Sequence, residues 1–140
     1  MEISELKAFN EQEFEQVSQL MQVLDPTLPL THEKLQDTVN HPTCHLYVMR
    51  DEESIIGCYT LCIFHSPTGK KASVEDVVVH TAYQGQHLGK VLLEHAIGQL
   101  KTMAPIHVQL TSRPSRVAAN NLYRKMGFQP KETNVYVMNL

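Results

Sequence analysis

A chain of 140 residues, 42% hydrophobic and 19% charged, has the size of one domain and enough apolar material for a single core. Its formal net charge of -3 supplies no basic field, so nucleic acid is not expected as a partner. No apolar run approaches the roughly 20 residues that span a bilayer, and Glu2 and Glu5 sit where a signal peptide is basic or apolar. No membrane partner and a cytoplasmic location are therefore expected.

The chain opens on a short expected strand, Ile3 to Lys7. Asn10 stands three residues before Glu13, the spacing of a capping box, and predicts a helix running to about Leu24. Phe14, Val17, Met21 and Leu24 recur at helical spacing as its buried stripe, until Pro26 and Pro29 stop it. Thr31 is placed to cap a second short helix with Leu35 and Val39 inward, ending before His41-Pro42. Expected strands His45 to Met49 and Ser54 to Phe64 flank the polar turn Arg50 to Glu53, as in a hairpin. The turn Ser66 to Lys71, with Pro67 and Gly69, then leads into a third meander strand, Ala72 to His80.

Beyond His80 the apolar period changes from two to about 3.6. Leu88, Val91, Leu92, Ala96, Leu100 and Met103 predict a helix, and Ile106 to Leu110 a strand. Val117 to Met126 predicts another helix, N-capped by Ser115 and ended by Gly127. A last strand, about Thr133 to Met138, is expected to close the chain. Neither a repeat nor a linker divides the sequence, so residues 1–140 are expected to form one domain.

Cys44, Cys58 and Cys62 contain no C-x-x-C pair, and an odd number cannot close a disulfide framework within one chain, so reduced, buried thiols are expected. His41, Cys44 and His45 are close in sequence. Pro42 and the strand start at His45 deny them a common face, and no metal is expected there.

The segment Tyr83-Gln84-Gly85-Gln86-His87-Leu88-Gly89-Lys90 lies between the apolar run Val77-Val78-Val79 and the helix that begins near Leu88. Strand, glycine-bearing turn and helix start, in that order, make an anion cradle from main-chain N–H groups and the positive end of a helix dipole. A phosphorylated ligand is the first expectation. A P-loop needs four residues between its glycine and the Gly-Lys pair, whereas Gly85 and Gly89 are separated by three and Val91 follows Lys90. The dinucleotide fingerprint G-x-G-x-x-G is also missing.

The segment resembles the acetyl-CoA loop of the GCN5-related N-acetyltransferases, the GNAT family, whose pattern is Q/R-x-x-G-x-G/A. Gln84, Leu88 and Gly89 match it, as does the preceding Val77-Val78-Val79-His80 strand. His87 stands where the family's first signature glycine usually falls, with Gly85 two residues earlier. The glucosamine-6-phosphate branch also has a side chain there and carries a strand similar to Glu75-Asp76-Val77-Val78-Val79. Downstream, Ala119-Asn120-Asn121-Leu122-Tyr123-Arg124-Lys125-Met126-Gly127-Phe128 resembles the family's other hallmark, a helix with Asn and Tyr followed by Gly-Phe.

The resemblance implies the acyl-CoA N-acyltransferase fold: α/β, a mixed, mostly antiparallel central sheet splayed at its fourth and fifth strands and flanked by helices. It implies direct acetyl transfer from acetyl-CoA to a primary amine, a small molecule in the leading reading. It further implies pyrophosphate contacts from Gln84, Gly85, Gln86, His87, Leu88, Gly89 and Lys90, and pairing of the cofactor arm with the strand of Val77, Val78 and Val79. The Asn120 position contacts that arm, and Tyr123 also touches the cofactor.

Amide formation needs a neutral amine and a proton for the departing thiolate. On the Val117 helix, Arg116, Asn120 and Tyr123 share a stripe beside the inward Ala118, Leu122 and Met126. The family uses a tyrosine at the Tyr123 position as general acid. Glu75 and Asp76 precede the valines and point to opposite faces of a regular strand, unless a bulge exchanges them. By resemblance to the amino-sugar branch Glu75 is the expected base, acting through water, with Asp76 beside the acceptor. Arg113 and Arg116 are candidate contacts to an anionic acceptor or a CoA phosphate, and equally read as a solvated loop. A non-catalytic acyl-CoA sensor and a protein lysine or N-terminal acetyltransferase remain the alternatives, and a homodimer is open.

Overall fold

A computed structural model describes residues 1–140. In chain order it contains β1 (Glu2–Glu5), α1 (Glu11–Leu24), α2 (His32–Asn40), β2 (Cys44–Asp51), β3 (Ser54–Ser66), β4 (Gly69–Val79), a 3-10 turn (Thr81–Tyr83), α3 (Leu88–Lys101), β5 (His107–Gln109) and α4 (Val117–Lys125). The five strands form one sheet in sequence order, antiparallel from β1 to β4 and parallel between β4 and β5.

Local chemistry accounts for the helix starts on the first half. Asn10 accepts from the Glu13 N–H at 2.8 Å while the Glu13 carboxylate accepts from the Asn10 N–H at 3.1 Å, a complete capping box for α1. Arg50 of β2 adds an ion pair to Glu13 at 2.5 Å, which holds that carboxyl below its usual range. Thr31 caps α2 by accepting from the Lys34 N–H at 3.1 Å. Phe14, Val17, Leu20 and Leu35 of these two helices bury against Leu46, Val48, Cys58 and Val78 on one face of the sheet. Leu20, fully buried, belongs to the α1 stripe, whereas Met21 and Leu24 are only half-buried.

The opposite face carries α3 and α4. Leu92, Leu93, Ala96, Leu100 and Tyr123 pack there on Met49, Ile56, Tyr59, Leu61, Ala72 and Val74. Val91, expected inward, is 41% exposed, because the helix turns Leu93 toward the sheet in its place. The two apolar layers leave one sheet between them, with its strands buried on both sides.

Two other expectations fail. Thr133 to Met138 forms no strand: Val135, Tyr136, Val137 and Met138 are all exposed and pair with nothing. A strand needs a ladder partner as well as β propensity, and β5 offers only three residues. Nor does Ser115 cap α4. The N-cap is Arg116, without a side-chain cap bond, and Ser115 instead accepts the Val117 N–H through its main-chain oxygen at 3.0 Å.

Candidate active site

The site begins where β4 outruns β5. The two strands pair only at Lys71/His107, Ala72/Val108 and Ser73/Gln109, while β4 continues to Val79. Its edge beyond Ser73 is open. Within this stretch Cys58 pairs with Val78 and Thr60 with Glu75, so Asp76 and Val77 together oppose Tyr59. Asp76 takes a left-handed backbone, φ 52, at this bulge. The extra residue shifts the alternation: Ala72 and Val74 face α3, and so do Val77 and Val79, while Glu75 stays with Val78 on the α1 side. The His80 N–H donates to the Ile56 oxygen at 2.7 Å, so the antiparallel alternation turns the main-chain groups of Val79 away from β3, toward the open edge.

The loop after β4 is tied back onto it. Gln84 donates from Nε2 to the Val79 oxygen at 3.1 Å, and His80 Nδ1 accepts from the Ala82 N–H at 3.1 Å. Gly85, at φ 82, makes the reversal that an L side chain disfavours. His87 is the N-cap of α3 and also left-handed, φ 61 and ψ 21, with no side-chain cap bond. None of the N–H groups of His87, Leu88, Gly89 and Lys90 donates a hydrogen bond within the chain. Those donors, with the α3 dipole behind them, are the chemistry a pyrophosphate requires.

This cradle opens into a cavity of about 1240 Å³ lined by Val77, Val78, Val79, Gln84, Gly85, His87, Leu88, Gly89 and Lys90, and by Asn121, Leu122 and Tyr123 of α4. Two residues expected to touch a cofactor are not among its walls. Gln86 lies outside it, and Asn120 directs its amide to the preceding loop, donating to the oxygens of Arg113 at 2.9 Å and Arg116 at 2.8 Å. A strand edge without a ladder partner beyond Ser73, leading to unpartnered helix N–H groups in a cleft of this size, fits a CoA thioester.

A second cavity, about 970 Å³, lies on the α1 side and meets the first at Val77 and Tyr123, which line both. Glu75 and Asp76 enter its wall from β4, Asp25 and Lys34 from the helical side, and Arg113 and Arg116 from the loop before α4. Glu75 accepts from Ser73 Oγ at 2.5 Å. Asp76 is exposed to solvent at the wall of this cavity. Desolvation, reinforced by the charge of Glu75, raises its carboxyl above the usual range. Asp25 is held low by hydrogen bonds from Thr27, with Arg113 adding a favourable charge. Tyr123 is buried, its ring edge-on to Phe128 at 6.3 Å, and the Phe128 N–H donates to the Tyr123 oxygen at 3.0 Å. Gly127, at φ 101, permits that return, so the Gly-Phe pair after α4 fixes the tyrosine.

The structure thus brings Glu75, Asp76, Arg113, Arg116 and Tyr123 around one cavity. The sequence does not single out Asp25, Lys34, Thr38, Thr111 or Ser112, which also stand in its polar wall. The Ser112 hydroxyl is buried without a hydrogen-bond partner beside the cavity, and nothing in its local sequence marks it. No three His, Cys, Asp or Glu side chains converge as a metal-ligand set. No helix is long and apolar enough to cross a membrane.

A mixed sheet splayed beside a helix N-terminal cradle defines the N-acyltransferase class of fold. Solved structures agree. An aminoglycoside acetyltransferase from an uncultured soil metagenomic sample superposes with a TM-score of 0.79 at 23% identity, covering 99% of this chain and 95% of that one. A model of the Acetyltransferase (GNAT) family matches residues 7–128, and the chain belongs to that family. Among curated relatives, an uncharacterized N-acetyltransferase of Porphyra purpurea is 27% identical over 95 residues, which are 68% of this chain and 53% of that protein. A ribosomal protein bS18-alanine N-acetyltransferase of Salmonella typhimurium is 36% identical over 58 residues, 41% of this chain and 39% of that protein. The chain therefore spans about half or less of the curated relatives it matches.

Proposed function

We propose that the protein transfers an acetyl group from acetyl-CoA to the primary amine of a small polar molecule, both substrates being bound together. The observation that carries this reading is the junction of the two cavities at Val77 and Tyr123. Acetyl-CoA supplies the activated thioester. The N–H groups of His87 to Lys90 hold its pyrophosphate, and the open edge of β4 at Val77 to Val79 receives its arm. A main-chain N–H on that edge polarises the acyl carbonyl.

On the acceptor side, Glu75 takes the proton from the ammonium through water, and Asp76 supplies negative charge that attracts it. Arg113, Arg116 and Lys34 line the same cavity as these carboxylates, so an acceptor carrying both an amine and an anionic group suits it. Tyr123, at the junction, protonates the departing thiolate. A peptide N-terminal amine is the second reading, favoured by the similarity to the Salmonella enzyme named above.

Steady-state CoA release, measured over a panel of amino sugars, amino acids and peptides, tests the proposal together with Tyr123→Phe. Loss of the general acid lowers kcat by about 100-fold or more while acetyl-CoA affinity, read by calorimetry, is kept. Undiminished turnover removes Tyr123 as the acid. Tight acetyl-CoA binding with no transfer to any amine leaves a sensor in place of an enzyme.

A further inference from the structure

Cys44 and Cys62 are direct cross-strand partners in the β2–β3 ladder. The Ile63 N–H donates to the Thr43 oxygen at 2.9 Å, making Thr43 and Ile63 the hydrogen-bonded pair and Cys44 and Cys62 the adjoining non-hydrogen-bonded one. In such pairs the Cα atoms approach to about 4.5 Å and the side chains lie side by side. That separation falls within the range of about 4.4–6.8 Å that a disulfide spans. Both thiols are free and half-buried, unlike Cys58, which is wholly buried. The expectation of uniformly buried thiols thus holds for Cys58 alone.

The pair also has a defined neighbourhood. Ser73 of β4 is the next partner across from Cys62, and Ser73 holds Glu75 in the wall of the acceptor cavity. We propose that Cys44 and Cys62 form a thiol–disulfide exchange site beside that cavity, oxidised by low-molecular-weight disulfides to an intrachain bond between β2 and β3.

The Cys44 thiolate attacks one sulfur of the small disulfide and expels one thiolate, leaving a mixed disulfide on Cys44. Cys62 then loses its proton to solvent and attacks the Cys44 sulfur, expelling the second thiolate. The dithiol gives up two electrons, the small disulfide becomes two thiols, and the two protons lost by the cysteines end on them. Burial first, then a hydrogen bond to Cys44, raises the Cys62 thiol, and the reverse order, with Cys62 attacking and Cys44 resolving, gives the same products. Cys58 is shielded from exchange by its complete burial.

Equilibration of the full chain in glutathione and glutathione disulfide buffers, acid quenching and denaturing alkylation test this without any acetyl-transfer readout. In excess glutathione disulfide we expect a species two hydrogens lighter that takes one alkyl group, against three for the reduced chain. Trypsin should release the Cys44 peptide joined to the peptide bearing Cys58 and Cys62. No lysine or arginine separates those two cysteines, so Cys58→Ser makes the assignment: the link must persist in it. Three alkylations throughout, a glutathione adduct that never resolves, or a link lost in Cys58→Ser would each overturn the proposal.

Discussion

Asn120 donates to the main-chain oxygen of Arg113 at 2.9 Å, anchoring to the first turns of α4 the loop that brings Arg113 and Arg116 to the α1-side cavity. The same amide donates to the Arg116 oxygen at 2.8 Å, so one side chain holds both ends of the arginine loop. Its value is positional. In Asn120→Ala both bonds are lost, which costs about 1 kcal/mol of stability. The loop then keeps only its main-chain bonds, from the Arg116 N–H to Arg113 and from the residue 120 N–H to Arg116, and on the proposed reading acceptor KM should rise by roughly tenfold because misplaced binding groups are expensive. Acetyl-CoA affinity should change little. A large loss of acetyl-CoA affinity with acceptor KM unchanged would instead put Asn120 on the cofactor side.

His87 occupies a left-handed position that ordinary L residues reach at a cost of about 1–2 kcal/mol. Replacing it by glycine removes that strain but adds unfolded-state freedom worth about 0.4–1 kcal/mol, so His87→Gly should be neutral or slightly stabilising. His87→Val, with a branched Cβ, should destabilise by at least about 1 kcal/mol and pull the α3 N–H groups out of alignment. Urea unfolding and acetyl-CoA calorimetry on the two variants give the comparison. Equal behaviour of glycine and valine would show that the loop's backbone, as described, does not control the cradle.

The contrast at Asn10 and Thr133 explains which features were legible in the sequence. A capping box is chemistry within four residues, and the Asn10–Glu13 spacing predicted the start of α1 correctly. The cradle before α3 is equally local. Thr133 to Met138 has the composition of a strand, yet a strand exists only through a partner that lies elsewhere in the chain. For the same reason the bulge at Asp76, which puts Glu75 on the α1 face, and the Cys44/Cys62 pairing were not legible: both are properties of register. Of the residues around the α1-side cavity, the sequence marks only those that cluster near a motif. Asp25, Lys34 and Ser112 come to it through tertiary packing.

The Asn10 cap gives a stability test remote from both cavities. Asn10→Ala removes the acceptor for the Glu13 N–H and should cost about 1 kcal/mol. Glu13 keeps both Arg50 and the main-chain N–H of residue 10, so the ion pair and one half of the capping box remain at the start of α1. Thermal unfolding of the variant should show a lower Tm with unchanged acetyl-CoA affinity. An unchanged Tm would mean that the ion pair, not the cap, sets the helix start.

Asp76 sets stability against function within one residue. Its carboxyl is raised in the folded chain by desolvation and by Glu75, so ionised Asp76 penalises the native state. The sign is therefore opposite to that of a salt-bridged carboxylate: stability due to this group is fully present below its unfolded value of 3.8 and lost as pH rises through the higher folded value. Asp76→Asn keeps a residue that tolerates the left-handed backbone and carries no charge. At neutral pH it should be more stable than the wild type, by about 0.5 kcal/mol after solvent screening. The difference should shrink as the pH falls from the raised value toward 3.8, where the wild-type carboxyl is protonated as well. At neutral pH acetyl transfer by the variant should be weaker, through a higher acceptor KM, because on the proposed reading the acceptor ammonium loses its counter-charge, and this difference too should shrink as the pH falls. Paired measurements of Tm and acceptor KM between acid and neutral pH decide it: a stability gain that persists at low pH would trace to the backbone, not to the charge.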